Sequence, residues 1–236
     1  MNPFEKYKSI FIFEGITGCG KSTQLPKVVD YLERKRGLSV GIADSGAEAY
    51  VASKAYRNYL TRADNPLIPY ALIHQSTNYL KIEAARNPVD VLMVDRFVLS
   101  DLVYLISRCE LQGIPVDKEK TREQILSPFG IDIFEKTYTI YLDASIEVAK
   151  SRTQSRSQLD SFGKVRSEFD LPLQARAREN YLNELNMAKK RNSFSYTTID
   201  ANGPEEVVFD RIKDYVSSSL ANAPKIVSNR NIEKGG

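Results

Sequence analysis

The chain has 236 residues, 42% of them hydrophobic and 27% charged, with a formal net charge of +3. That length suits one substantial core of α/β size, the composition is that of a soluble globular protein, and the charge is too small to argue for a nucleic-acid partner. Two cysteines without a pairing pattern, a start (Met1-Asn2-Pro3-Phe4-Glu5-Lys6) without signal-peptide order, and no apolar run near the roughly 20 residues of a membrane span predict a cytoplasmic protein with no membrane partner.

In chain order, the first β-like run covers 9–13 and leads into Gly15-Ile16-Thr17-Gly18-Cys19-Gly20-Lys21-Ser22. This segment fits G-x-x-x-x-G-K-[ST] without a mismatch, between a strand and a helical stretch at 24–35. Glycines let backbone N–H groups turn inward onto phosphate oxygens, and a helix N-terminus adds positive charge there. Gly15, Gly18, Cys19, Gly20, Lys21, Ser22 and Thr23 are therefore candidate ATP-binding residues. Lys21 is assigned to the β- and γ-phosphates, and the Ser22 hydroxyl to Mg²⁺. Cys19 reads as a small side chain filling a tight turn, and Pro26 falls awkwardly inside the following helix.

Further β-like runs lie at 38–43, 91–95, 138–143 and 196–200, with helical spacing at 71–86 between the second and third. Ser145 is placed to cap a helix from Ile146, and Gly203-Pro204-Glu205-Glu206 is a helix start. Strands alternating with helices predict an α/β fold, a five-stranded parallel sheet with helices on both faces, in one P-loop NTPase domain over 1–220. The polar, basic stretch 221–236 reads as a disordered tail.

Four segments together resemble the thymidylate kinase family of nucleoside monophosphate kinases, over roughly residues 8–216. Phe11-Ile12-Phe13-Glu14-Gly15 through Lys21-Ser22-Thr23-Gln24 is similar to its F-E-G-x-x-G-x-G-K-[ST]-T-Q segment. Val94-Asp95-Arg96-Phe97 with Ser100 and Tyr104 resembles D-R-Y-x-x-S-x-x-A-Y. Tyr141-Leu142-Asp143 followed by Glu147, Arg152, Arg156 and Asp160 matches the strand, helix and lid of bacterial members. Arg176-Ala177-Arg178-Glu179-Asn180-Tyr181-Leu182 resembles V-R-x-x-Y-L. The resemblance implies ATP and Mg²⁺ as cofactors and a nucleotide small molecule as acceptor. It also implies that Arg96 contacts the acceptor's phosphate, Asp95 supports the metal or its waters, and lid arginines Arg152 and Arg156 close over the ATP phosphates. Tyr70 falls where the family stacks an aromatic on the base, and Ser100 and Tyr104 line the same pocket. A mobile lid near 153–168, and a homodimer through the helix after Asp95, are further expectations from the family. Asp143 reads as structural.

The acceptor side departs from the family. Ala43-Asp44-Ser45-Gly46 stands where a T-R-E-P-like segment carries an arginine, His74 or Gln75 where a helix carries another, and Thr17 where the loop often carries an acid. Arg57, Arg62, Lys54 or Arg108 would have to fill that gap. The leading function is ATP-dependent phosphorylation of dTMP to dTDP. Two alternatives stay open: a kinase for another deoxynucleoside or a modified deoxynucleotide, and a non-catalytic ATP-binding regulatory protein.

Overall fold

The computed structural model describes residues 7–43, 89–126, 137–155, 170–191 and 195–222. The elements in chain order are β1 (Ser9–Glu14), α1 (Lys21–Arg36), β2 (Val40–Ala43), β3 (Val91–Asp95), α2 (Val98–Leu111), α3 (Lys118–Leu126), β4 (Thr137–Asp143), α4 (Ile146–Gln154), α5 (Leu171–Arg191), β5 (Ser195–Asp200) and α6 (Glu205–Asn222). All five expected strands are present, and every pairing is parallel, in the order β2-β3-β1-β4-β5. This is the five-stranded parallel α/β sheet of a P-loop fold.

The central strands β1 and β3 are apolar through their middles because helices cover both faces of the sheet there, whereas the edge strand β5 is mostly polar and partly exposed. Alternation still sorts the side chains. Ile10, Ile12, Leu92 and Val94 meet Leu102, Leu105 and Ile106 of α2 on one face. Phe11, Phe13, Met93, Ile140 and Leu142 meet Val28 and Leu32 of α1 and Val208 and Ile212 of α6 on the other. Each of these large side chains, removed from water, contributes about 1.5–3 kcal/mol.

Helix ends follow local chemistry. α1 begins at Lys21, three residues ahead of the expected start, and tolerates Pro26 within it. It stops at Gly37, whose φ of 63° permits the N–H of Gly37 to reach Glu33 O and that of Leu38 to reach Leu32 O. Ser145 caps α4 through the N–H of Val148 at 3.3 Å, as its sequence position predicts. α6 runs on to Asn222, two residues into the stretch read as tail. Residues 223–236 lie outside the described residues.

β1 is central, and the chain leaves it first toward β3 and β2, later toward β4 and β5. A crevice therefore opens beyond the carboxyl end of β1, where the connections diverge. Register places Asp95 beside Phe13 and Tyr141 beside Glu14 at this end. α2 packs under α5, with Asn180 Nδ2 donating to Ser107 Oγ at 3.0 Å and Glu110 Oε2 at 2.9 Å. Of the α2 side chains only Arg108 and Leu111 are exposed. Most of this helix is therefore covered within its own chain. No helix among the described residues is long and apolar enough to cross a membrane.

Candidate active site

The loop between β1 and α1 is shaped by two glycines for different reasons. At Gly18 (φ 84°) a Cβ would lie 2.2 Å from the Ala149 carbonyl oxygen, so only glycine allows the loop to rest against α4. At Gly20 (φ 112°) the nearest atom to a Cβ would be Arg152 Nη1 at 3.9 Å, an ordinary contact, so the backbone angle rather than space calls for glycine. Gly20 is the N-cap of α1 and no side chain caps that end. The first-turn amides of Lys21 and Ser22, with the helix dipole behind them, are left for an anion. Lys21 is 7% exposed. Its Nζ donates to the carbonyl oxygens of Gly15 at 3.1 Å and Ile16 at 3.3 Å, and lies 3.5 Å from Cys19 Sγ. Those carbonyls hold the ammonium inside its own loop. Cys19 is buried and fills the turn.

A cleft of about 200 Å³ runs from this helix end past Thr23, Gln24 and Arg152 to Ala201 and Val208. Arg152 spans its rim, donating to Cys19 O at 3.3 Å and to Gly203 O at 3.2 Å. It ties the loop to the turn before α6, and its guanidinium stands beside the loop.

The opposite wall is built around Arg96, the one non-glycine residue with positive φ (65°) among the described residues. A left-handed residue with a side chain costs on the order of 1–2 kcal/mol. The backbone holds it there: its N–H donates to Phe13 O at 2.9 Å, extending the β1–β3 ladder one step past the strand. Its guanidinium lies 5.1 Å from the centre of the Tyr104 ring. It donates to Ser100 Oγ at 3.3 Å and reaches Tyr181 Oη at 3.5 Å. Burial disfavours the charge, but the acidic groups of Tyr104, Tyr181, Cys19 and Glu14 outweigh it, and the arginine is held more firmly protonated than usual. Ser100 and Tyr104 thus adjoin Arg96.

Beneath Arg96 lies Glu14, fully buried at the end of β1. Its Oε1 accepts from the N–H groups of Phe97 at 2.9 Å and Ser100 at 3.4 Å, and its Oε2 from the hydroxyls of Ser100 and Tyr181, the latter at 3.0 Å. Burial pushes this carboxyl above the ordinary glutamate range, against the Ser100 and Phe97 hydrogen bonds and the Arg96 charge, which pull it down. Glu14 and Tyr181 were legible only as motif letters. Their roles come from partners far away in sequence.

One amide joins the two walls. Gln174 Oε1 accepts from the Thr17 N–H at 2.9 Å and from the Tyr104 hydroxyl at 2.8 Å. The phosphate-type loop, α2 and α5 therefore share a single acceptor, and the sequence offered no signal for it. Asp143 is engaged by Arg178 through two parallel bonds of 2.7 and 2.9 Å, which supports its structural reading.

Among the described residues, the candidate metal donors at the site are the hard oxygens of Ser22 and Asp95. Ser22 is exposed at the start of α1, and Asp95 is half-buried at the end of β3. No group of three or more His, Cys, Asp or Glu residues among the described residues could hold an ion unaided. That set suits Mg²⁺, which takes one or two protein oxygens and completes its shell with phosphates and water. Tyr70, Arg156, Lys54, Arg57, Arg62, His74 and most of the expected lid lie outside the described residues.

Comparison with known proteins fits this arrangement. A family model described as thymidylate kinase matches residues 13–212. The chain belongs to the thymidylate kinase family. It is 28% identical to a thymidylate kinase of Legionella pneumophila (strain Corby) over 167 residues, covering 68% of this chain and 75% of that one. With a thymidylate kinase of Acinetobacter baylyi it shares 26% identity over 215 residues, covering 87% and 97% of the two chains. Its fold is similar to that of a deoxyadenosine kinase from M. mycoides, at a TM-score of 0.61 and 17% identity, covering 89% of this chain and 99% of that chain. Membership makes the protein a nucleotide kinase, and a kinase of this family takes its phosphate from ATP.

Proposed function

We propose that this kinase transfers the γ-phosphoryl group of ATP to a deoxynucleoside monophosphate, with dTMP as the preferred acceptor and dTDP as product. The observation that carries the reading is the Gln174 bridge: it fixes the Thr17 end of the phosphate loop against Tyr104, whose ring carries the Arg96 guanidinium. A loop suited to the donor's phosphates and a cation suited to the acceptor's phosphate thus face one crevice at a fixed distance.

In this reading Lys21 gives up the Gly15 and Ile16 carbonyls for phosphate oxygens, and the first-turn amides of α1 hold the same anion. The donor's nucleoside lies in the cleft between Gln24, Arg152 and Val208. Ser22 and Asp95 would hold Mg²⁺, which would supply positive charge to offset the charge of the donor phosphates. Arg96 orients the acceptor's phosphate, with Ser100 and Tyr104 beside it. Tyr70 stacks on the base, and Arg152 with Arg156 supplies charge as a lid over 153–168 excludes water. Phosphoryl transfer needs little covalent help from protein, so positioning and charge account for the rate. The reaction belongs in the cytosol.

A second reading, a kinase for another deoxynucleoside or a modified deoxynucleotide, is favoured by Thr17 and Asp44 standing where the family carries an acid and an arginine. A coupled ADP-release assay across nucleosides and nucleoside monophosphates separates the two. The first predicts dTMP as the fastest acceptor. Turnover of nucleosides with none of dTMP overturns it, and ATP hydrolysis without any acceptor effect points to a regulatory ATP binder.

A further inference from the structure

α2 starts without a cap of its own. Its N-cap residue, Phe97, is extended and has no side chain able to accept from the first-turn amides. Such an end leaves buried donors unsatisfied, which a helix ordinarily avoids with a Ser, Thr, Asp or Asn at this position. Here the acceptor comes from another element. Glu14 Oε1 takes the N–H of Phe97 and the N–H of Ser100, the N-cap residue and the third helical residue. These are the two amides that a capping box satisfies with two separate side chains. One carboxyl on β1 does both.

Arg96 lies between the end of β3 and this capped end, and its strained φ of 65° persists only if both flanks are fixed. On one side the Phe13 carbonyl fixes its own N–H, and on the other Glu14 fixes the N–H of the next residue. Glu14 Oε2 also binds the Ser100 and Tyr181 hydroxyls, which are 2.6 Å apart and both within reach of Arg96 Nη1.

We propose that Glu14 is a positioning residue for acceptor use: by capping α2 from β1 and bracing Ser100 and Tyr181, it fixes the backbone turn and side-chain direction of Arg96. This rests on the reading of Arg96 as the acceptor-phosphate contact.

Glu14→Met keeps the volume and removes every acceptor, whereas Glu14→Gln retains one oxygen for the two amides. With dTMP, or the best monophosphate of the acceptor panel, Glu14→Met should lower acceptor kcat/KM about tenfold to a hundredfold. The KM for ATP should stay within about twofold, and Glu14→Gln should recover most of the loss. Combined with Arg96→Ala, Glu14→Met should cost nothing further in acceptor kcat/KM, since its effect passes through Arg96. Additive losses, or an ATP KM that moves as far as the acceptor's, would overturn the proposal and leave Glu14 a stabilising group only. If Arg96→Ala alone leaves acceptor kinetics unchanged, the acceptor-contact reading fails first. Should Glu14→Met not fold, Tyr181→Phe in the same cycle decides instead, with a smaller loss in the same direction expected and additivity with Arg96→Ala refuting.

Discussion

Tyr141 and Tyr181 pack ring to ring, with centroids 5.1 Å apart, yet their hydroxyls differ in what they do. Tyr181 Oη serves Glu14, Ser100 and Arg96. Tyr141 Oη is buried and has no hydrogen-bond partner among the described residues, and burial pushes its phenol far above the ordinary range. An unpaired buried hydroxyl costs about 1–3 kcal/mol, whereas removing it with the ring retained costs little. Tyr141→Phe should therefore leave the midpoint of thermal or urea unfolding unchanged or raise it by up to about 1 kcal/mol of stability. Tyr181→Phe should lower it by about 1–2 kcal/mol. A clear destabilisation by Tyr141→Phe would contradict the unpaired hydroxyl.

At the scale of elements, the amino ends of three strands are pinned by one side chain. Asp90, just before β3, accepts from the Ser39 N–H at 3.0 Å and the Ser39 hydroxyl at 2.8 Å, and pairs with Lys8 ahead of β1. The Lys8 ammonium, with the Ser39 N–H, lowers its carboxyl to about 2. A depressed acid stabilises the fold above its unfolded value near 4, and that contribution is lost as pH falls from about 4 to about 2. Asp90→Asn should cost about 1–2 kcal/mol at neutral pH, discounted for partial exposure, and the gap from wild type in urea melts should close near pH 2. A gap independent of pH would argue against the ion pair.

Elements were the part of the molecule most legible in sequence. Residues 10–13 and 91–94 are apolar at every position, because a sheet covered on both faces leaves no polar alternation to misread. The phosphate loop was legible because its chemistry is local, with glycines, Lys21 and Ser22 acting within eight residues of one another. Glu14 and Gln174 were not, since their function lies in partners 83 to 167 residues away for Glu14 and 70 to 157 for Gln174. The burial of α2 was hidden for the same reason. Periodicity shows that a helix is amphipathic but not that α5 will cover what α3 and the sheet leave open.

For the whole molecule, strand order matters more than any single contact. With β1 between β3 and β4, the loop after β1 and Arg96 after β3 emerge side by side at one edge of the sheet. α5 then closes the gap, with Gln174 and Tyr181 reaching both sides. Lys21 and Arg152 stand on the wall formed by the loop after β1, and Arg96 on the other. The central claim is that the two walls act on one transferred group. It is tested most directly by following γ-labelled ATP with dTMP and Mg²⁺, for wild type and Lys21→Ala. The account predicts label in dTDP for the wild-type protein and a loss of about a hundredfold to a thousandfold in Lys21→Ala, the scale of removing a group that stabilises transition-state charge. Label appearing only in orthophosphate, or transfer to dTMP undiminished without Lys21, would contradict it.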